Sequence, residues 1–307
     1  VYDGSGTATS HAARGLTIEG YLSEIVYGLP QLSLVEGFNN NFDAHSDDII
    51  SQIESIRDFL LVGGRMTASF TGSRDSAQEV QQTLKDWISK MSREAIVNSP
   101  TDFKRYEVSP CEGLAAPIQV AHCAQVIPAP HYSHPDRTPL MVGAHLVRLE
   151  YIMNEIRFRG NAYGAMFNYS PLGSTLTLGS YRDPHISRTL EVFSGVSDYI
   201  RKVEWTQTDI DRAIIATAKQ FERPIRPEVA TSQALYRHLI GQTPEIREQY
   251  YDELLSVTPQ EVKRALLDLL ENNFAKGAIC VVSSRERLEA ANKEMSNQQL
   301  IIEDILG

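Results

Sequence analysis

The sequence predicts an α+β fold in which helices pack on one face of an antiparallel sheet. Three observations carry that reading. Helical spacing of apolar residues recurs along most of the chain, a hairpin signal at residues 162–181 interrupts it, and a short continuous apolar run at residues 277–282 has the character of a buried strand.

Taken in order, residues 4–15 (GSGTATSHAARG) are small and polar and predict a loop. Their Gly-Ser-Gly lacks the Lys-Ser/Thr ending of a phosphate-binding loop. Residues 16–61 have helical spacing, with Ile18, Tyr21, Leu22, Ile25 and Val26 on one stripe and a break at Gly28-Leu29-Pro30, which predicts two or three helices. Residues 65–71 (RMTASFT) alternate and are rich in β-formers, predicting a strand, and residues 77–91 return to helical spacing. Strands are expected at 94–97 and 119–127, separated by a stretch carrying Pro100, Pro110 and Pro117. The domain boundary is placed there, giving 1–93 as part of one domain and 94–307 as a complete one.

Residues 128–139 form a loop rich in His and Pro, and a long helix is expected over 140–157. Strands at 162–168 and 174–181 are joined by Ser170-Pro171-Leu172-Gly173. Helices follow at 186–203, 208–221 with Thr206 as cap, 229–239 and 245–254. Thr258-Pro259-Gln260-Glu261 is a helix start with the cap, first-turn Pro and reciprocal Glu in place.

Composition narrows the function classes. Hydrophobic residues make up 42% and charged residues 22%, which suits a packed core. A net charge of −10 repels nucleic acid and anionic lipid and excludes a nucleic-acid binder. No apolar run approaches the ~20 residues that cross a bilayer, so no membrane partner is expected. Cys111, Cys123 and Cys280 are too dispersed for a disulfide framework or a C-x-x-C metal site and read as packing thiols. The chain begins with Val and reads as a piece of something longer.

Residues 155–184, EIRFRGNAYGAMFNYSPLGSTLTLGSYRDP, carry the sharpest signal. An Arg157 ending a helix, Arg159, Gly160-Asn161-Ala162-Tyr163-Gly164, a hairpin and Ser180-Tyr181-Arg182-Asp183-Pro184 together resemble the last domain of presequence proteases and their falcilysin-like relatives, a branch of the pitrilysin/insulinase-class zinc peptidases. Asn161 stands where that branch has a second Gly, and Asn tolerates left-handed geometry better than most residues. The likeness continues through 211–217, 236–241 and 290–292, and more loosely through 19–99.

The resemblance implies four related α+β domains in two halves that close around a peptide. Residues 1–93 would be the end of the third domain and 94–307 the fourth. The zinc motif H-x-x-E-H is absent from this sequence, so the resemblance implies the non-catalytic half, inactive alone, with no cofactor of its own and zinc in the full-length enzyme. Its partners would be the N-terminal catalytic half of the same protein and unfolded, basic peptides, in the matrix of a mitochondrion or plastid-type organelle. Tyr163 and Arg157 would reach the substrate near zinc and assist catalysis, with Gly160 and Gly164 allowing helix and strand to approach closely. A phenol and a guanidinium suit that task because both donate to an oxygen on which negative charge develops. Without the family pattern the plainer reading is an Arg at a helix end and a Tyr packing in a strand. The alternative function is a non-catalytic binding or structural subunit of the processing-peptidase or respiratory core-protein type.

Other candidates have plainer readings too. His122, His131 and His134 lack a thiolate or carboxylate at ligand spacing and read as loop histidines. His145 and Glu150 stand in the helix corresponding to the zinc helix of the other half but read as a degenerate, metal-free site. Arg182 with Asp183 reads as a turn-fixing pair, and the sequon at Asn168-Tyr169-Ser170 falls inside the hairpin. Neither G-x-S-x-G nor a Cys/His nucleophile context occurs.

Overall fold

The computed structural model describes residues 3–92, 110–221, 225–295 and 298–305. They fall into two compact units, one made of Val1–Ser33, Phe103–Phe221 and Tyr251–Gly307, the other of Leu34–Asp102 and Glu222–Tyr250. The strand expected at 94–97 and the boundary beside it lie outside the described residues.

The first unit is built on a six-stranded sheet of order β3-β4-β2-β5-β1-β6, with β1 Cys111–Ala115, β2 His122–Pro128, β3 Gly164–Ser170, β4 Thr175–Tyr181, β5 Ala278–Ser283 and β6 Ile301–Asp304. The α+β class holds, and two details differ from expectation. First, the sheet is mixed: β3, β4, β2 and β5 pair antiparallel in that order, whereas β1 is parallel to both β5 and β6. A long helical excursion separates β4 from β5, and a connection of that length lets a strand enter in either direction.

Second, helices cover both faces. The register sets Met166, Gly179, Ala124, Cys280 and Glu112 in one row across the sheet. That face receives helix α1 (Gly4–Ala13), whose buried Ala8 and Ala12 sit against Leu114, Ala124, Val126, Ala278, Cys280 and Val282. The segment expected to be a loop is therefore a helix. Its small residues, poor in helical signal, let its backbone lie close to the sheet, and Asp3 caps it by accepting from Gly6 N at 2.9 Å.

The opposite face carries the helices that the sequence does announce. They are α6 (Arg137–Val147), α7 (Ser187–Ser194) and α8 (Val196–Lys202), α9 (Gln207–Phe221), α12 (Pro259–Asn273) and α13 (Arg285–Glu294). Their side of the core includes Ile152, Ile156, Phe193, Ile200, Ile210, Val262 and Leu266. Thr258 opens α12 with a complete capping box, as its sequence predicts. All three cysteines are buried and unpaired, and burial pushes their thiols up, Cys111 to about 11.

Helix α2 (Ile18–Tyr27) ends at Gly28, and α3 (Leu29–Asn40) follows, so the Gly28-Leu29-Pro30 break falls where expected. The second unit adds α4 (Phe42–Leu60), α5 (Arg74–Ile88) and α10 (Pro227–Leu239). Among the described residues, 65–71 pair with no strand: a short turn at Gly63–Arg65 leads into extended chain. Strand propensity is realised only against a partner. Among the described residues no helix is long and apolar enough to cross a membrane.

Candidate functional site

Helix α6 does not stop at Val147. It continues as an unusual π-helical stretch, Arg148–Phe158, whose wider turn places Ile152 and Ile156 inward and leaves Arg157 and Phe158 exposed at its end. π-helical turns are rare and concentrate at functional sites.

The chain then reverses into β3 over five residues. Asn161 N donates to Arg157 O at 3.0 Å and Ala162 N to Ile156 O at 3.1 Å. Asn161 has φ 61°, so the left-handed position in this turn is held by a residue type that tolerates it better than most. At Gly160 an added Cβ would meet Ile156 O at 2.4 Å. The close approach there is to the preceding helical turn rather than to the strand. Gly164 is different, since a Cβ would sit at an ordinary 3.6 Å from Tyr181 Cβ.

Tyr163 N donates to Tyr181 O at 3.1 Å, which seats residue 163 beside the end of β4. Its side chain is 68% exposed, and its ring meets that of Tyr181 edge-on at 5.8 Å. The Arg157 guanidinium lies 5.7 Å from the Phe158 ring centroid and pairs with no carboxylate among the described residues. The two residues therefore share one short, backbone-locked junction with both donors free toward solvent.

Behind them the Ser180–Pro184 motif is anchored by Asp183, which is fully buried. Its backbone exchanges two 2.8 Å hydrogen bonds with Ala121, and its carboxylate accepts from His185 N at 2.9 Å and Thr189 Oγ1 at 2.7 Å. Asp183 fixes the turn through these bonds and not through the pair with Arg182 that the sequence predicts.

The histidines are dispersed. His122 is buried at the start of β2 against Tyr181 at 5.1 Å, and burial lowers its pKa. His131 and His134 lie beyond the other end of that strand, where His131 Nδ1 meets Ser133 Oγ and His134 Nδ1 accepts from Asp136 N. Glu150 accepts from Tyr199 Oη and Trp205 Nε1, both at 2.8 Å, and is thus a structural acceptor. Among the described residues no three His, Cys, Asp or Glu side chains come together to hold a metal, so these residues do not fit a zinc ion.

Sequence reasoning missed one cluster. His11 Nδ1 lies 2.8 Å from Glu24 Oε1, and Arg14 donates two bonds to Glu112 at 2.6 and 2.7 Å, all four residues being buried. The Arg14–Glu112 pair is separated by 98 residues, and no local spacing announces it.

Residues 133–285 match the family model described as the PreP C-terminal domain. This chain belongs to the family of presequence-protease C-terminal domains. Presequence-protease relatives match along most of it. Presequence protease 1, chloroplastic/mitochondrial, of Arabidopsis thaliana is 26% identical over 298 residues, covering 96% of this chain and 27% of that protein. The mitochondrial presequence protease of Gibberella zeae is 25% identical over 271 residues, covering 88% and 27%. That of Yarrowia lipolytica is 29% identical over 231 residues, covering 74% and 22%. This chain thus spans about a quarter of the length of those relatives.

Among solved structures, a peptidase M16 inactive domain from Pseudomonas fluorescens has a TM-score of 0.52 at 15% identity, covering 75% of this chain and 53% of that one. The periplasmic protease PqqL from Escherichia coli has a TM-score of 0.51 at 11% identity, covering 70% and 25%. At such identities the likeness is one of fold.

Proposed function

We propose that this chain is the metal-free C-terminal half of a zinc metalloendopeptidase that encloses and degrades unfolded peptides, and that Tyr163 and Arg157 contact the peptide at its scissile region. In this reading residues 1–93 are the end of the third peptidase-like domain and 94–307 the fourth. Zinc and its chemistry belong to the N-terminal catalytic half of the same protein. The names of the relatives, mitochondrial or chloroplastic/mitochondrial, support an organellar matrix as the place of action.

The observation that carries this reading is the junction itself: an exposed phenol and an uncommitted guanidinium on one rigid turn. A phenol O–H and a guanidinium N–H donate to a peptide carbonyl oxygen and hold it as charge gathers there. Each donor contributes about 2–4 kcal/mol when preorganised in a water-excluded site. Gly160 supports the turn that aims Arg157, and Gly164 begins the strand behind Tyr163.

The test combines this chain with the catalytic half and compares wild type with Tyr163→Phe on a basic, unstructured peptide. The phenylalanine variant is expected to lose on the order of 10²-fold in kcat, the equivalent of one preorganised donor. Undiminished turnover would remove Tyr163 from the mechanism. The chain alone is expected to give no cleavage.

A further inference from the structure

Arg182 occupies a backbone conformation that its side chain does not favour. Its φ is 49°, in the left-handed region where a residue with a Cβ is strained. Its neighbours enforce this: Asp183 is pinned to Ala121, His185 and Thr189, and Tyr163 N reaches both Tyr181 O at 3.1 Å and Arg182 O at 3.4 Å. Residue 182 cannot relax without dislodging the end of β4 and the seat of Tyr163. Glycine or asparagine would occupy the position with less strain.

The charge is also uncompensated. Both oxygens of the neighbouring Asp183 carboxylate already accept hydrogen bonds, and Glu155 is engaged with Arg159 at 2.5 Å. Among the described residues the Arg182 guanidinium has no carboxylate and no hydrogen-bond acceptor, only the Tyr181 ring, whose centroid lies 5.5 Å from Cζ. That ring in turn meets Tyr163. In a chain of net charge −10, two uncommitted guanidinium groups, Arg157 and Arg182, thus belong to the junction that presents Tyr163.

We propose that Arg182 is a third peptide-contacting residue, and that its guanidinium, braced on Tyr181, binds a carboxylate of the bound peptide, either its C-terminus or an Asp or Glu side chain. A guanidinium fork matches a carboxylate with two parallel hydrogen bonds, and an aromatic ring beneath it limits the rotamers it must give up. The strain at residue 182 is then the cost of aiming the group. This inference rests on the reading of Tyr163 and Arg157 as peptide contacts.

The experiment is a fluorescence-anisotropy titration of the full chain with three labelled, unstructured peptides: one with a free C-terminus and no acidic residue, one amidated without acid, and one amidated with a single Asp. Wild type, Arg182→Asn, Arg182→Gly, Tyr163→Phe and Arg157→Gln are compared, each with a thermal melt. Wild type is expected to bind at least one carboxylate-bearing peptide about tenfold more tightly than the neutral one, the scale of one charge-assisted pair. Which peptide is preferred identifies the source of the carboxylate. Arg182→Asn should abolish the preference while its melting temperature stays level or rises.

A preference that survives Arg182→Asn, its absence in wild type, or melting temperatures that fall in both the Asn and Gly variants would overturn the proposal. Weakening by Tyr163→Phe or Arg157→Gln with Arg182→Asn unchanged defeats this inference alone. If none of the variants changes binding, or wild type binds no peptide, the reading of Tyr163 and Arg157 falls with it.

Discussion

His11, Arg14, Glu24 and Glu112 are the residues whose chemistry most depends on burial. Burial disfavours the His11 imidazolium, but the Glu112 and Glu24 carboxylates outweigh it and hold His11 above its usual range. Burial likewise works against the Glu112 charge, yet His11 and Arg14 hold that carboxyl down to about 2. Glu24 is lowered by His11 against the same opposition. A raised imidazole contributes stability in full below its unfolded pKa of about 6.5 and loses it as pH rises through the folded value; the depressed carboxyls contribute above about 4.3 and lose it as pH falls toward the folded values. The attachment of α1 should therefore be tightest between about pH 4.5 and 6.5. Melting temperature followed against pH in wild type and His11→Gln checks this, with the difference between them expected to shrink above that window. Glu112→Gln removes a buried carboxylate that accepts two hydrogen bonds from Arg14 and should cost about 3–5 kcal/mol in urea unfolding.

At the scale of elements, α1 and residues 65–71 teach opposite lessons. The first has turn-like composition yet forms a helix, because a sheet face of small side chains accepts a helix of small residues. The second has strand composition yet is unpaired extended chain, because among the described residues no neighbouring strand offers its backbone a ladder. The sequence does show the hairpin, the capping box and the apolar β5, since each is specified within a few residues. It does not show β1, whose five residues lie between Pro110 and Pro117 in the stretch that reads as a domain boundary. The α1–α2 pairing makes a sharp prediction at Gly20. An added Cβ there would lie 2.2 Å from Ala13 O, a backbone atom that cannot move aside. Alanine gains up to about 1 kcal/mol in helix propensity but forces an overpacking that costs about 1–3 kcal/mol. Gly20→Ala should thus be net destabilising, with amides of α1 exchanging faster in hydrogen-exchange measurements. Unchanged α1 protection would count against the pairing.

At the scale of the whole molecule, the two units differ in how much core each has. The first buries both faces of its sheet, whereas in the second, among the described residues, Val62 and Tyr250 are the apolar side chains that reach full burial. Ile50, Ile53, Ile56, Phe59 and Leu60 of α4 stay more than half exposed. Helices held by so little apolar contact open at low free energy. Amides of α4 and α5 should exchange orders of magnitude faster than those of β2 and β5, and unfolding followed by several probes should not coincide in one transition. A single cooperative transition with uniform protection would contradict this.

What the sequence determined by itself is what is written locally: the α+β class from its two periodicities, the hairpin, the caps, and the motif that carries the family resemblance. Asn161 belongs to that set, since Asn is a residue type that tolerates the left-handed region it occupies. Only the tertiary structure decided the parallel entry of β1, the helical state of residues 4–13, the charge cluster that spans 98 residues, and the separation of Asp183 as anchor from Arg182 as free cation. The physical reason is common to all four. Strand pairing, burial and ion pairing are properties of neighbours in space, and a residue's partners across the sheet leave no periodic trace in the residues beside it in sequence.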